Sequence, residues 1–310
     1  MYKNVYLKKG KEESLLRFHP WVFSGAIQRA DEGIEEGDTV RVITHAGDFI
    51  AVGHYQVGSI AVRVLSFSDI TVDQSYWHER LSAALTMRQR IGIADNPQNN
   101  TYRLVHGEGD WLPGLVIDCY GPTAVMQAHS VGMHRCRMDI CRALADVMGD
   151  RIQQVYYKSE TTLPYKAHLE EEDGFILGST HDNVAVENGL KFHVDWLRGQ
   201  KTGFFVDQRE NRSLLEHYSK GKSVLNMFCY TGGFSVYAMR GGAQCVHSVD
   251  SSAKAIEITN SNVALNFPGD MRHEAFCEDA FRFLEGRTDK YDIVVLDPPA
   301  FAKHRAALHN

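Results

Sequence analysis

Between Val224 and Asp250 the chain reads VLNMFCYTGGFSVYAMRGGAQCVHSVD, and this run limits the folds open to it more than any other. Residues 224–228 are apolar, follow the breaker Gly221-Lys222-Ser223 and are too few for a helix, so they predict a buried parallel strand. Tyr230-Thr231-Gly232-Gly233 comes next, then an apolar helix-like segment, 234–239, that Gly241-Gly242 closes. Residues 246–249 form a second apolar strand ending in Asp250. The result is one βαβ unit, with glycines at the carboxyl end of its first strand and an acid at that of its second. Glycines there let backbone N–H groups approach a ligand, and a carboxylate on the second tip can accept both hydroxyls of a ribose. That spacing suits an adenosine-containing cofactor. Without the spaced G-x-G-x-x-G of dinucleotide folds, Gly232-Gly233 also reads as an ordinary strand-to-helix turn.

Two further strands narrow the choice. Residues 273–277 end in Glu278-Asp279, and residues 291–296 end in Asp297-Pro298-Pro299. Four successive strands with polar tips place those tips along one edge of an open sheet, where such folds bind ligands. A double proline can simply stop a strand. After Ile293-Val294-Val295-Leu296, an acid with two rigid prolines also makes a fixed, carbonyl-rich platform for a planar base, the reading preferred here.

A chain of 310 residues, 44% of them hydrophobic, has core material for two or three domains. A net charge of −6 argues against a general nucleic-acid coat protein but leaves room for an RNA enzyme with local basic patches. The six cysteines form no CxxC pair and no zinc spacing, which predicts reduced thiols and no metal site. With no apolar signal core and no run of 18 apolar residues, a soluble cytoplasmic protein without a membrane partner is expected.

Residues 1–70 read as an all-β module, with alternation in 40–43, 49–52 and 60–65 and turns at Gly37-Asp38, Gly47-Asp48 and Gly58-Ser59. Within His19-Pro20-Trp21-Val22-Phe23, the aromatic residues are expected to fill the core of a small barrel. Such a barrel could also hold RNA in a groove, with Lys11 and Arg17 on phosphates. Residues 71–175 read as an α+β module. Trp77, Leu81, Ala84 and Leu85 share one helix face; Arg80, Arg88 and Arg90 lie on the polar face, which reads as solvated, the usual case, or as phosphate-facing. Met133, Cys136, Ile140, Leu144 and Val147 predict an amphipathic helix to Gly149, and 170–174 a solvated turn.

Residues 176–310 form the third module. It opens with a hairpin whose strands, 183–187 and 190–194, flank Asn188-Gly189. From Arg198 to Lys222 there are six basic residues against three acidic ones. A helix starting near Asp207 puts Gln208, Asn211 and Arg212 on one side, as a wall of the cofactor site rather than a solvated face.

Four motifs now resemble one family. These are KTGFFVDQRENR from Lys201, NMFCYTGGF from Asn226, Val249-Asp250-Ser251-Ser252, and LDPPAFAK from Leu296. Together they resemble the bacterial class I S-adenosylmethionine-dependent ribosomal RNA methyltransferases, and within them the PUA-domain enzymes that make 5-methylcytosine in large-subunit ribosomal RNA. His19-Pro20-Trp21-Val22-Phe23-Ser24 looks like that family's amino-terminal PUA segment, and 106–115 like its central module. The resemblance implies an α/β fold: a Rossmann-like methyltransferase domain preceded by a PUA-like RNA-binding barrel and the α+β connector. It implies S-adenosyl-L-methionine as cofactor and ribosomal RNA as partner. Asn226, Phe228, Cys229, Tyr230, Thr231 and Gly232 would line the methionine side, and Asp250 with Ser251 would bind the ribose. Asp279 and Ala280 would lie against the adenine, Gln208 and Arg212 would border the pocket, and Asp297-Pro298 would face the target base.

In that family the sheet continues past the Asp-Pro-Pro strand and supplies a cysteine that attacks C6 of cytosine. The chain ends at Asn310, so an incomplete sheet is expected, with the nucleophilic cysteine missing and little or no cofactor binding or methyl transfer. Cys229 and Cys277 are expected to be core thiols. The 291–296 strand would expose an apolar edge, for which a second copy of the chain is the expected cover. Two alternatives stay open. One is a guanine-nitrogen methyltransferase in which Asp297 orients the base and Phe301 stacks on it, and the other is a non-catalytic RNA-binding module.

Overall fold

The computed structural model describes residues 2–164, 169, 173–179, 183–285 and 287–298. The chain divides into two compact units, 1–182 with 196–202, and 183–195 with 203–310.

The first unit opens with β1 (Lys3–Leu7), α1 (Glu13–Leu16), β2 (Trp21–Phe23), β3 (Ile27–Ala30), β4 (Thr39–Ile43), β5 (Phe49–Tyr55) and β6 (Ile60–Ser66). These strands make a six-stranded sheet in the order β2-β6-β5-β4-β1-β3, antiparallel except for the β1/β4 pair. Val5, Leu7, Val22, Val40, Val62 and Val64 close its core. The expected burial of the aromatic residues of β2 is overturned. Side chains alternate across a strand, so once Val22 points inward both neighbours must point out. Val22 is 2% exposed, Phe23 is 48% exposed, and Trp21 is half-buried with its indole N–H donating to Glu108 Oε1 at 2.9 Å.

The same unit continues with α2 (Gln74–Arg90), β7 (Thr101–His106), β8 (Leu115–Tyr120), β9 (Thr123–Ala128), α3 (Val131–Arg135), α4 (Arg137–Met148), β10 (Gln154–Tyr157) and β11 (Gly174–Leu177). Asp73 caps α2 by accepting the Tyr76 N–H, and Trp77, Leu81, Ala84 and Leu85 are buried along its inner face as the spacing predicts. Arg88 does not face water; its guanidinium pairs with Asp110 and donates to the Arg103 carbonyl. The helix expected over 133–149 is two helices, α3 and α4, that meet at Cys136. Residues 170–172 of the predicted acidic turn lie outside the described residues.

The second unit holds the hairpin β12 (Val184–Glu187) and β13 (Leu190–His193), turned by Asn188 and Gly189, both at positive φ as a two-residue hairpin requires. It continues through α5 (Arg209–Tyr218), β14 (Ser223–Met227), α6 (Gly233–Arg240), β15 (Cys245–Asp250), α7 (Ala253–Asn266), β16 (His273–Cys277), α8 (Ala280–Glu285) and β17 (Ile293–Leu296). Its sheet is fully parallel in the order β16-β15-β14-β17, so successive strands run outward from β14 on one side and then return to its other side. Such a reversal opens a crevice at the carboxyl tips of the strands that flank it. Cys229 is buried, but Cys277 is exposed because it ends an edge strand, which corrects its reading as a core thiol. On β17, Val294 and Leu296 are 54% and 66% exposed. No helix of the described residues is long and apolar enough to cross a membrane.

Glu187, at the end of β12, ties the hairpin to two helices. Its fully buried carboxylate accepts Arg212 Nε and Nη2, each at 2.8 Å, and the Tyr237 hydroxyl at 2.9 Å. The Arg212 guanidinium lies 4.6 Å from the Phe204 ring centroid. Removing one member of a buried pair strands the other charge. Glu187→Gln is therefore expected to destabilise the second unit by roughly 3–5 kcal/mol, read from the midpoint of urea unfolding.

Candidate active site

The β14–α6 loop is the least ordinary backbone in the second unit. Phe228, Tyr230 and Gly232 have φ of 56°, 48° and 75°. Each left-handed non-glycine residue costs about 1–2 kcal/mol, so the surroundings must hold the loop. They do so from two sides. The Tyr230 N–H donates to Asp250 Oδ2 at 3.0 Å, and the Cys229 N–H to the Val249 carbonyl at 3.0 Å. On the other side the Thr259 hydroxyl donates to the Tyr230 carbonyl at 3.0 Å, and Asn262 Nδ2 to the Thr231 carbonyl at 2.8 Å. The Tyr230 hydroxyl reaches the Gly203 carbonyl at 3.1 Å.

Asp250 is the joint between the two strand tips. Its Oδ1 accepts the Ser252 N–H at 2.9 Å while Oδ2 accepts Tyr230. A carboxylate offers about four acceptor positions, so capacity for two hydroxyls remains. Ser251 beside it is exposed. Gly232 has to be glycine twice over: its φ is 75°, and a Cβ there would sit 2.6 Å from Thr259 Cγ2. At Gly233 a Cβ would lie 3.1 Å from Arg212 Cδ, so the stem of that arginine packs directly against the glycine turn while its charge is spent on Glu187. Gln208 is half-buried and accepts Asn211 Nδ2 at 2.7 Å.

Other predicted residues take different stations. Asn226 is buried and turned toward α6, where its amide donates to Ser235 Oγ at 2.9 Å; Ser235 contacts Ser248 at 2.6 Å, and Ser248 contacts His273 Nε2 at 2.8 Å. Burial, with the nearby His247, pushes His273 down to about 4 and keeps that chain uncharged near neutrality. Asp279 caps α8 by accepting the N–H groups of Phe281 at 3.0 Å and Arg282 at 3.2 Å, and Ala280 is the first residue of that helix. Asp297 and Pro298 are exposed at the tip of β17, on the opposite flank of β14 from Asp250. Phe301 lies outside the described residues. Cys229 Sγ is 3.7 Å from Thr259 Oγ1, and burial pushes its thiol up to about 12. Thr259 and Asn262 escaped the sequence reading. In α7, where polar residues are common, their i, i+3 spacing carries no distinct signal.

A crevice at the strand reversal, a glycine turn and an acid at the neighbouring tip are what a nucleoside-bearing donor needs, and the donor set fits S-adenosylmethionine. A family model described as a PUA-like domain matches residues 5–67, and one described as an S-adenosylmethionine-dependent methyltransferase matches 173–310. A putative methyltransferase solved in complex with SAH superposes with a TM-score of 0.82 at 23% identity, over 97% of this chain and 77% of that one. The methyltransferase family model and the relatives that follow define an S-adenosylmethionine-dependent methyltransferase. The protein named ribosomal RNA large subunit methyltransferase I of Aeromonas hydrophila is 40% identical over 99% of this chain and 79% of its own length. Its namesake in Klebsiella pneumoniae is 36% identical over 99% and 78%. The chain belongs to this ribosomal RNA large subunit methyltransferase I family.

Two outcomes test the geometry. Gly232→Ala combines left-handed strain with a clash and is expected to cost about 2–3 kcal/mol, measured by chemical denaturation. In iodoacetamide labelling of the native chain at pH 8, followed by peptide mass spectrometry, Cys277 should react and Cys229 should not, because its thiol stays protonated below about 12.

Proposed function

We propose that the chain is built to transfer a methyl group from S-adenosylmethionine to C5 of a cytosine in large-subunit ribosomal RNA, in the cytoplasm. The observation that carries the cofactor part is the 3.0 Å hydrogen bond from the Tyr230 N–H to Asp250, which draws the glycine turn and the acid into one crevice. In this reading the backbone of 228–232 lines the methionine side, and Asp250 and Ser251 take the ribose. Asp279 and Ala280 flank the adenine, while Gln208 and the Arg212 stem close the wall. The bound cofactor supplies an electrophilic methyl group on a sulfonium. Asp297 and Pro298, one strand over on β17, would orient the target base beside it. The strand between them sets the separation, roughly 5 Å per strand.

Attack at C6 of cytosine needs a thiolate, and no described cysteine suits the task. Cys229 is held protonated, and Cys277 ends β16, the sheet edge opposite Asp297. All six cysteines lie among the described residues, so the cytosine reading finds no nucleophilic thiol in this sequence. That same observation favours the second reading, a guanine nitrogen, which needs no thiol. For the RNA partner, the first unit offers exposed aromatic side chains, Phe18 at 62%, Phe23 at 48% and Trp111 at 40%. Residues 3–17 add five basic side chains against two acidic ones. Aromatic faces stack on unpaired bases and lysines meet phosphates.

The cofactor part is tested by thermal unfolding with S-adenosylhomocysteine. Contrary to the expectation of little or no binding drawn from the incomplete sheet, this reading has the ligand, at a hundredfold excess over Kd, contribute about 2.7 kcal/mol and raise the melting temperature by about 5 °C or more; no rise sinks the reading. The target is tested by mass spectrometry of nucleosides from ribosomal RNA treated with the chain and labelled cofactor. 5-Methylcytidine supports the first reading and a methylguanosine the second.

A further inference from the structure

We propose that Thr259 and Asn262 of α7 are positioning residues for the methyl-donor loop, a role that rests on the assignment of 228–232 to the methionine side. Both side chains are fully buried, and both spend a donor on a loop carbonyl rather than on their own helix: Thr259 on Tyr230 at 3.0 Å, Asn262 on Thr231 at 2.8 Å. Those two carbonyls lie between the left-handed residues Tyr230 and Gly232. The fit is mutual, since Gly232 lacks a Cβ just where Thr259 Cγ2 presses against it.

Asn262 reaches a second element as well. Its Oδ1 accepts the His193 N–H of β13 at 2.7 Å, and one turn further on Asn266 exchanges two hydrogen bonds with Lys191, at 2.9 and 2.7 Å. The polar stripe Thr259, Asn262, Asn266 thus pins the hairpin and the loop to a single face of one helix. That helix is capped by Ser252, whose own N–H is held by Asp250. α7 therefore acts as a rigid ruler, with the proposed ribose-binding acid at its start and the supports of the methionine side about two turns along. Loss of a support should blur the methionine side while sparing the nucleoside side.

The test compares S-adenosylhomocysteine with adenosine by calorimetry on the full chain. Thr259→Val keeps the shape and removes the hydroxyl; it is expected to weaken S-adenosylhomocysteine about tenfold and adenosine less than about twofold. Thr259→Ser, which restores the donor, should bind both like wild type. Equal affinity of Thr259→Val and wild type for S-adenosylhomocysteine overturns the proposal, and so does a parallel loss of both ligands, the mark of a merely structural role. Hydrogen exchange on the ligand-free chain gives a second readout: amides of 228–233 should exchange faster in Thr259→Val and in Asn262→Asp, and unchanged exchange overturns the proposal too. A wild-type chain that binds no S-adenosylhomocysteine would instead defeat the site assignment, while the exchange data would still decide whether these side chains hold the loop.

Discussion

The carboxylate of Asp250 sits where two strand tips, a strained loop and a helix start converge, accepting one backbone N–H from Tyr230 and another from Ser252. Hydrogen bonds to a charged acceptor are worth about 1.5–3 kcal/mol each, comparable with the left-handed strain at Phe228 and Tyr230 that they help to offset. Without a charged acceptor there, a tight loop with two non-glycine residues at positive φ has little to hold it. The end of β15 thus holds the loop that leaves β14.

Glu187 performs a similar task further from the tips. Its pair with Arg212 is fully buried, and such pairs often add little net stability over apolar packing. What the pair does add is geometry, by fixing the angle of α5 against the hairpin and α6. With the Arg212 head held, its stem is available to support Gly233. Tyr237, which also donates to Glu187, carries the same constraint into α6, the helix that the glycine turn begins. Site and scaffold share these residues.

The parallel sheet was legible from short apolar runs between glycines, and the hairpin from Asn188-Gly189, because both signals are local. At Trp21 and Phe23 alternation along the strand outweighs residue type: Val22 is the smaller side chain, yet it is the one that points in. Arg88 was expected in water, but Asp110, far along the chain, draws it into a pair. The break at Cys136 left no mark in a spacing that one helix would satisfy. Asn226 sits in the expected motif but faces α6, since alternation along β14 fixes which face it takes. Thr259 and Asn262 owe their importance to partners some thirty residues away, which no window along the chain can contain.

In the proposed reading, strand order separates the two halves of the chemistry. Outward from β14 on one side lie β15 and β16, whose tips carry Asp250 and Asp279; on the other lies β17 with Asp297 and Pro298. A donor bound along the first direction leaves the second free for an acceptor, so the two ligands need not compete for the same backbone groups. The described thiols point the same way. Burial raises Cys119, Cys136, Cys141, Cys229 and Cys245 above the ordinary thiol range, so none of these five is poised as a thiolate near neutrality. In the proposed reading, binding and orientation of the donor fall to the described residues of the second unit.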